Sequence, residues 1–187
     1  MKKILVTTLL ALAATTSAMA QTSVTLGGAV AEADSNGQET VRTSITVRTA
    51  LGKGFAGDVA VINSRNNTTR ATSVRQEVGV TAVGFETSVL TANVRTAVGV
   101  KSVSGADRVE YYSLEPGVNF KVTPDLTARV AYRYRDAFSS ADADRSDTMR
   151  YGLSYALTKK DTIGVVYDVV RKDGAEKAYN FSYTRSF

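Results

Sequence analysis

From residue 178 onward the chain alternates with period two. Tyr179, Phe181, Tyr183 and Phe187 fall on one side of an extended backbone, and Ala178, Asn180, Ser182, Thr184 and Ser186 fall on the other. A helix would scatter those aromatics round its axis, so the spacing asks for a strand. Its polarity constrains the fold further, because one side is large and aromatic while the other carries only small, mostly polar groups. Arg185 is the departure, a long charged side chain on the aromatic side, placed where it can reach water. A strand of a soluble sandwich accounts for the same residues, so the rest of the chain has to decide.

The N-terminal segment narrows the choice. Lys2 and Lys3 precede an apolar run from Ile4 to Ala14, and Ser17-Ala18-Met19-Ala20 follows. A charged start, an apolar stretch and a small-residue cleavage site are the marks of an export signal, expected over residues 1–20, with one mature domain over 21–187. The apolar run is short of the ~20 residues a spanning helix needs, and no later segment reaches that length. An exported chain of this kind can enter a membrane only as a closed barrel, which satisfies its own backbone.

Composition agrees. Cysteine is absent, so disulfides, thiol catalysis and thiolate metal sites are excluded. A mean hydropathy of -0.10 suits a wall in which only alternate residues meet lipid. The formal charge of +5 includes the two signal lysines, too little to argue for a nucleic-acid partner.

Period-two reading predicts about ten strands of near ~9–11 residues each, the length a tilted barrel strand needs. The first runs from Val24 to about Ala33. The second, Thr40 to Leu51, sets Val41, Ile45 and Val47 outward against Arg42, Ser44, Thr46 and Arg48. The third carries Phe55, Val59 and Val61 outward and Asp58 inward; the fourth opposes Val74, Val78 and Val80 to Arg75 and Glu77; the fifth opposes Leu90, Val94 and Val98 to Arg95. In the sixth, Pro116 shares a face with Tyr112, Leu114 and Phe120, and its missing N–H predicts a bulge. The seventh sets Val130, Tyr132 and Tyr134 against Arg129, Arg133 and Arg135. The eighth sets Tyr151 and Leu153 against Arg150, the ninth Val165 and Tyr167 against Asp168, and the aromatic strand completes the count.

The connections divide into two kinds. Short turns are expected at Gly52-Lys53-Gly54, Val83 to Phe85, Thr123 to Asp125 and Thr158 to Asp161. Longer polar loops are expected at Asp34 to Glu39, Ser64 to Ser73, Gly99 to Asp107, Ala137 to Ser146 and Lys172 to Lys177. Turns alternating with loops, an even strand count and a terminal aromatic strand together resemble the outer-membrane β-barrels of Gram-negative bacteria. That resemblance implies an antiparallel up-and-down barrel in the outer membrane, in contact with its lipid. It also implies an assembly signal, Tyr179, Phe181, Tyr183 and Phe187, read by the outer-membrane assembly machinery. Aromatics are expected in two belts: Phe55, Phe85, Phe120, Tyr155 and Phe187 toward the turns, and Tyr112, Tyr132, Tyr134, Tyr151 and Tyr179 toward the loops.

The chain has no histidine. Barrel enzymes of the outer membrane resemble one another in depending on that base, and neither a Ser-His-Asp nor a His-Asp arrangement can be built here. No enzyme activity, metal or cofactor is expected. Gly27-Gly28 and Gly52-Lys53-Gly54 lack phosphate-loop context, and Asp142, Asp144 and Asp147 lack the Gly and Glu of a calcium loop.

The inward face carries the functional signal. By parity it holds Arg42, Arg48, Arg75, Arg95, Arg129, Arg133, Arg135, Arg150 and Lys121 against Asp58, Glu77, Glu115 and Asp168. A net positive lumen concentrates anions, and rings of Arg or Lys line anion pores. The expectation is a porin-like passive channel for small anionic solutes, with Arg129, Arg133 and Arg150 setting the preference. The Arg-Tyr alternation of Tyr132 to Arg135 resembles, over a few strands, the porins for acidic oligosaccharides of the oligogalacturonate group, which implies an anionic solute. The alternative is a non-conducting structural or adhesive barrel whose lumen is closed by ion pairs between these arginines and acids.

Overall fold

The computed structural model describes residues 21–33, 37–139, 145–171 and 176–187. The export signal expected over residues 1–20 lies outside the described residues, as do parts of the first, fourth and fifth expected loops. Ten strands follow one another in the chain: β1 (Thr22–Ala33), β2 (Glu39–Gly52), β3 (Phe55–Asn66), β4 (Thr72–Glu86), β5 (Leu90–Val103), β6 (Val109–Lys121), β7 (Leu126–Ala137), β8 (Ser146–Ala156), β9 (Asp161–Arg171) and β10 (Glu176–Ser186). Each pairs antiparallel with its chain neighbours, and β1 pairs with β10 from Ser23↔Ser186 to Ala33↔Glu176, closing the barrel. Closure leaves no strand edge unpaired, which is how an all-β chain satisfies its backbone without water.

The predicted faces are the observed ones. Ile45, Val78, Val98, Leu153 and Phe181 are at least half exposed on the outer wall, whereas Ala31, Ala60, Ala131 and Ala178 are buried and point inward beside Asp58, Glu77, Glu115 and Tyr111. A surface this apolar outside and this polar inside is stable only when hydrocarbon surrounds it, so the barrel crosses a bilayer.

Three local expectations are corrected. Val83 to Phe85 is not a turn; β4 continues through it, with a register shift between Val83 and Phe85 against β5. The turn comes at 87–89, held by Thr87, whose N–H donates to the Leu90 carbonyl at 2.7 Å and whose Oγ1 accepts from the Leu90 N–H at 3.0 Å. Gly84 permits the bulge, and the strand keeps its partners beyond it. Gly99 does not open a loop, because β5 alternates on to Val103, and the loops flanking β3 to β6 shrink to 67–71 and 104–108. Pro116 makes no bulge: Leu114↔Tyr134 and Gly117↔Ala131 keep one register on either side of it. The β6–β7 ladder instead omits partners at Glu115 and Pro116, while Val94↔Pro116 stays paired on the β5 side. Dropping a rung costs less here than shifting every inward side chain outward.

The turn-side belt forms as expected, with Phe55, Phe85, Phe120, Tyr155 and Phe187 all exposed. Toward the loops the tyrosines gather into patches. Tyr112 packs on Tyr134 and Phe138, with ring centroids 6.1 and 5.4 Å apart, and Tyr167 packs on Tyr179 at 5.0 Å. Arg185 ends at the turn-side rim, where its guanidinium meets Asp161 at 3.4 Å and Tyr183 donates its hydroxyl to the same carboxylate at 2.6 Å.

The lumen as candidate functional site

Because the side-chain period is two, each strand turns every second residue into the lumen. The arginines expected there are there. Arg42, Arg48, Arg75, Arg95, Arg129, Arg133 and Arg150 line one cavity of about 390 Å³, together with Asp58, Glu77, Glu115 and Asp168. Arg135 also points inward but stands apart from the cavity, with its guanidinium carbon 5.3 Å from the centre of the Tyr111 ring.

The acids are claimed by a subset of these arginines. Arg95 on β5 reaches across β4 to Asp58 on β3, donating from Nε at 3.0 Å and from a terminal nitrogen at 2.5 Å, and its other terminal nitrogen meets Glu77 at 3.1 Å. Gly79 makes that reach possible, since a methyl group there would sit 2.7 Å from the Arg95 guanidinium. Arg150 bridges Glu115 at 2.9 Å and Asp168 at 2.9 Å, and Arg129 takes the other Glu115 oxygen at 2.7 Å. The Asn180 amide donates to Asp168 at 3.1 Å, completing that carboxylate's contacts. Arg42 pairs with Glu176 across β1 at the loop end. Each carboxylate is desolvated, and each is matched by guanidinium donors in the geometry that offsets the loss of hydration.

Arg48, Arg75 and Arg133 remain. Among the described residues no carboxylate lies within ion-pairing distance of any of them. The Nε atoms of Arg75 and Arg133 are buried and find no acceptor within the protein. Arg135, Arg133 and Arg42, all of the same sign, are the interior charges that act on Arg75. A buried cation with unmet donors and like-charged neighbours raises the local potential, which an incoming anion lowers.

The opposite wall is bare. Along β10 and β1 the cavity is bounded by Asn180, Ser182, Thr25, Gly27 and Ala29, and the charges resume on β2 with Arg42 and Arg48. Glycines on the charged wall are seats for large side chains, as Gly79 is for Arg95. No such group occupies the space beside Gly27, where the nearest atom is the Ser44 hydroxyl. The cavity thus has a charged side and a neutral side, a division that residue parity alone does not reveal.

Two further inward residues, Tyr111 and Lys101, are absent from the set that parity singles out by charge and pattern, yet they share the inward face of β6 and β5 with Glu115 and Arg95. A signal for the first exists, because continuing the β6 alternation back from Glu115 through Ser113 lands on Tyr111.

No protein-family model matches the chain, and no curated protein matches it. Solved structures do. The NanC porin superposes with a TM-score of 0.52 at 12% identity, covering 86% of this chain and 98% of that one. An outer-membrane channel of Pseudomonas putida F1 gives 0.53 at 11% identity, covering 90% and 95%. The β-domain of the Bordetella autotransporter BrkA gives 0.53 at 12% identity, covering 90% and 99%. Channels and an autotransporter domain fit equally well, so what the likeness establishes is the outer-membrane barrel fold.

Proposed function

We propose that this protein is a passive outer-membrane channel that favours small anionic solutes. The observation that carries the reading is the unpaired cationic set Arg48, Arg75 and Arg133 on the wall of a cavity inside a membrane-spanning barrel. Arginine keeps its charge at every working pH, so these groups attract anions permanently. In a narrow lumen of reduced dielectric each shifts ion occupancy more than a surface charge would. The NanC porin and the Pseudomonas channel lend the reading support by sharing the fold. Arg129 and Arg150, expected from the sequence to set selectivity, are assigned a scaffold role instead, because Glu115 and Asp168 neutralise them. The outward aromatics Tyr179, Phe181, Tyr183 and Phe187 are assigned to lipid contact and to recognition by the assembly machinery.

Planar-bilayer recording in a salt gradient tests this. The full chain should conduct, with a reversal potential on the anion side. Replacing Arg48, Arg75 and Arg133 together by Ser should move that potential toward cations. An unchanged potential would return the preference to other residues, and a silent wild-type barrel would favour the non-conducting structural or adhesive alternative.

A further inference from the structure

The lumen is not equally open along its length. On the turn side the inward residues Thr25, Gly27, Ser182 and Thr184 keep partial exposure. Toward the loops Ala31, Ala178, Ser146 and Thr148, from β1, β10 and β8, are buried and do not line the cavity, whereas Thr40, Ser64 and Lys101 keep partial exposure. On the turn side Thr81 and Asn93 of β4 and β5 are buried as well. The Arg42–Glu176 pair crosses β1 beside Ala31 and Ala178, and Arg135 on β7 stands opposite Ser146. Tyr111 is itself fully buried, the largest fully buried side chain among the described residues, and Arg135, also buried, lies over its ring. Gly99 on β5 is the seat of this pair, because a Cβ there would stand 2.7 Å from the Tyr111 phenol. Arg42, Ile62 and Arg75 on β2 to β4 continue the cavity wall into the loop half, as do Arg133 opposite Thr148 and Asp168 opposite Ala178.

We infer that Tyr111, stacked under Arg135, sets the calibre of the passage in the loop half, where Arg42, Arg75 and Arg133 stand. The inference rests on the channel reading and adds to it the residues that limit flow. A rigid ring filling one side of a barrel narrows it without adding charge. It also forces whatever passes to run beside Arg75, whose buried Nε has no protein partner. Tyr111 therefore acts on selectivity through position, and the arginine acts through charge.

The chain has no cysteine, so a single introduced thiol is uniquely addressable. Tyr111→Cys in the full chain, checked for folding by its heat-modifiable migration, should raise single-channel conductance several-fold and weaken anion preference. Modification of that thiol with a benzyl methanethiosulfonate should return both toward wild type. Arg135→Ser removes the other half of the filling and should change conductance in the same direction; it carries the test should Tyr111→Cys fail to fold. A conducting wild type whose conductance neither variant changes overturns the inference and leaves the channel reading intact. A silent wild type with conducting variants upholds the constriction and overturns the constitutive channel. Silence in all three overturns both.

Discussion

At the scale of single residues, the interior separates arginines that hold the barrel together from arginines that face open space. Arg150 satisfies two buried carboxylates at once, Glu115 and Asp168. Removing it leaves Asp168 with no cationic partner among the described residues, only the Asn180 amide, and Glu115 with Arg129 alone. Breaking a buried pair in this way costs about 3–5 kcal/mol. Arg150→Ala should therefore lower stability by about that amount, read from denaturant-induced unfolding in lipid vesicles. Arg75→Ser removes a charge whose interior neighbours are other arginines and should leave stability the same or raise it. Equal losses in the two variants would mean that the pairing does not organise the interior. Glycine matters at this scale only where a side chain needs its space: Gly79 lets Arg95 cross β4, and Gly99 seats Tyr111.

At the scale of strands, period two makes neighbouring residues belong to different solvents. On β2, Ile45 is 54% exposed on the outer wall, while Thr46 beside it lines the cavity. A lysine on the lipid face near the middle of a barrel wall costs about 2–4 kcal/mol, and one turned into a wet lumen costs much less. Ile45→Lys should accordingly fold poorly into phospholipid vesicles, whereas Thr46→Lys should fold nearly as wild type. The folded fraction on unheated gels reads the difference, and similar yields would place β2 in the wrong register. Pro116 illustrates how firmly that register is held, since β6 surrenders ladder partners to β7 and keeps its phase. β4 takes the other course at Val83 and Phe85, near the turn, where few inward positions remain to be misplaced.

For the whole molecule, the consequence is a wall along β1 and β10 that is accessible toward the turns and buried toward the loops. Ser182 bounds the cavity and Ala178, on the same face of β10, is fully buried. With no native cysteine to interfere, Ser182→Cys in vesicles should react readily with a small charged thiol reagent, and Ala178→Cys should be protected. Equal reactivity would mean that this wall is not buried toward the loops. On the proposed channel reading, solute would move beside Arg75 and along the neutral wall formed where the first and last strands meet.

The alternation of side chains, taken alone, determined the strand number, the faces and the inward charge. Arg42 to Arg150 and Asp58 to Asp168 all point where parity places them, because a closed wall with lipid outside offers each residue only two directions. Strand ends were less legible at Val83 and Gly99, where glycine marks a bulge and a seat but reads locally as a turn. Which charges meet was not legible at all. Arg48 lies directly opposite Asp58 in the ladder and Arg95 directly opposite Glu115, yet Asp58 is bound by Arg95, and Glu115 by Arg129 and Arg150. Long side chains reach over a neighbouring strand wherever a glycine lets them, so their partners depend on the stagger and curvature of the closed barrel. Those are properties of ten strands taken together, and only the tertiary structure could decide which arginines are paired with acids and which are not.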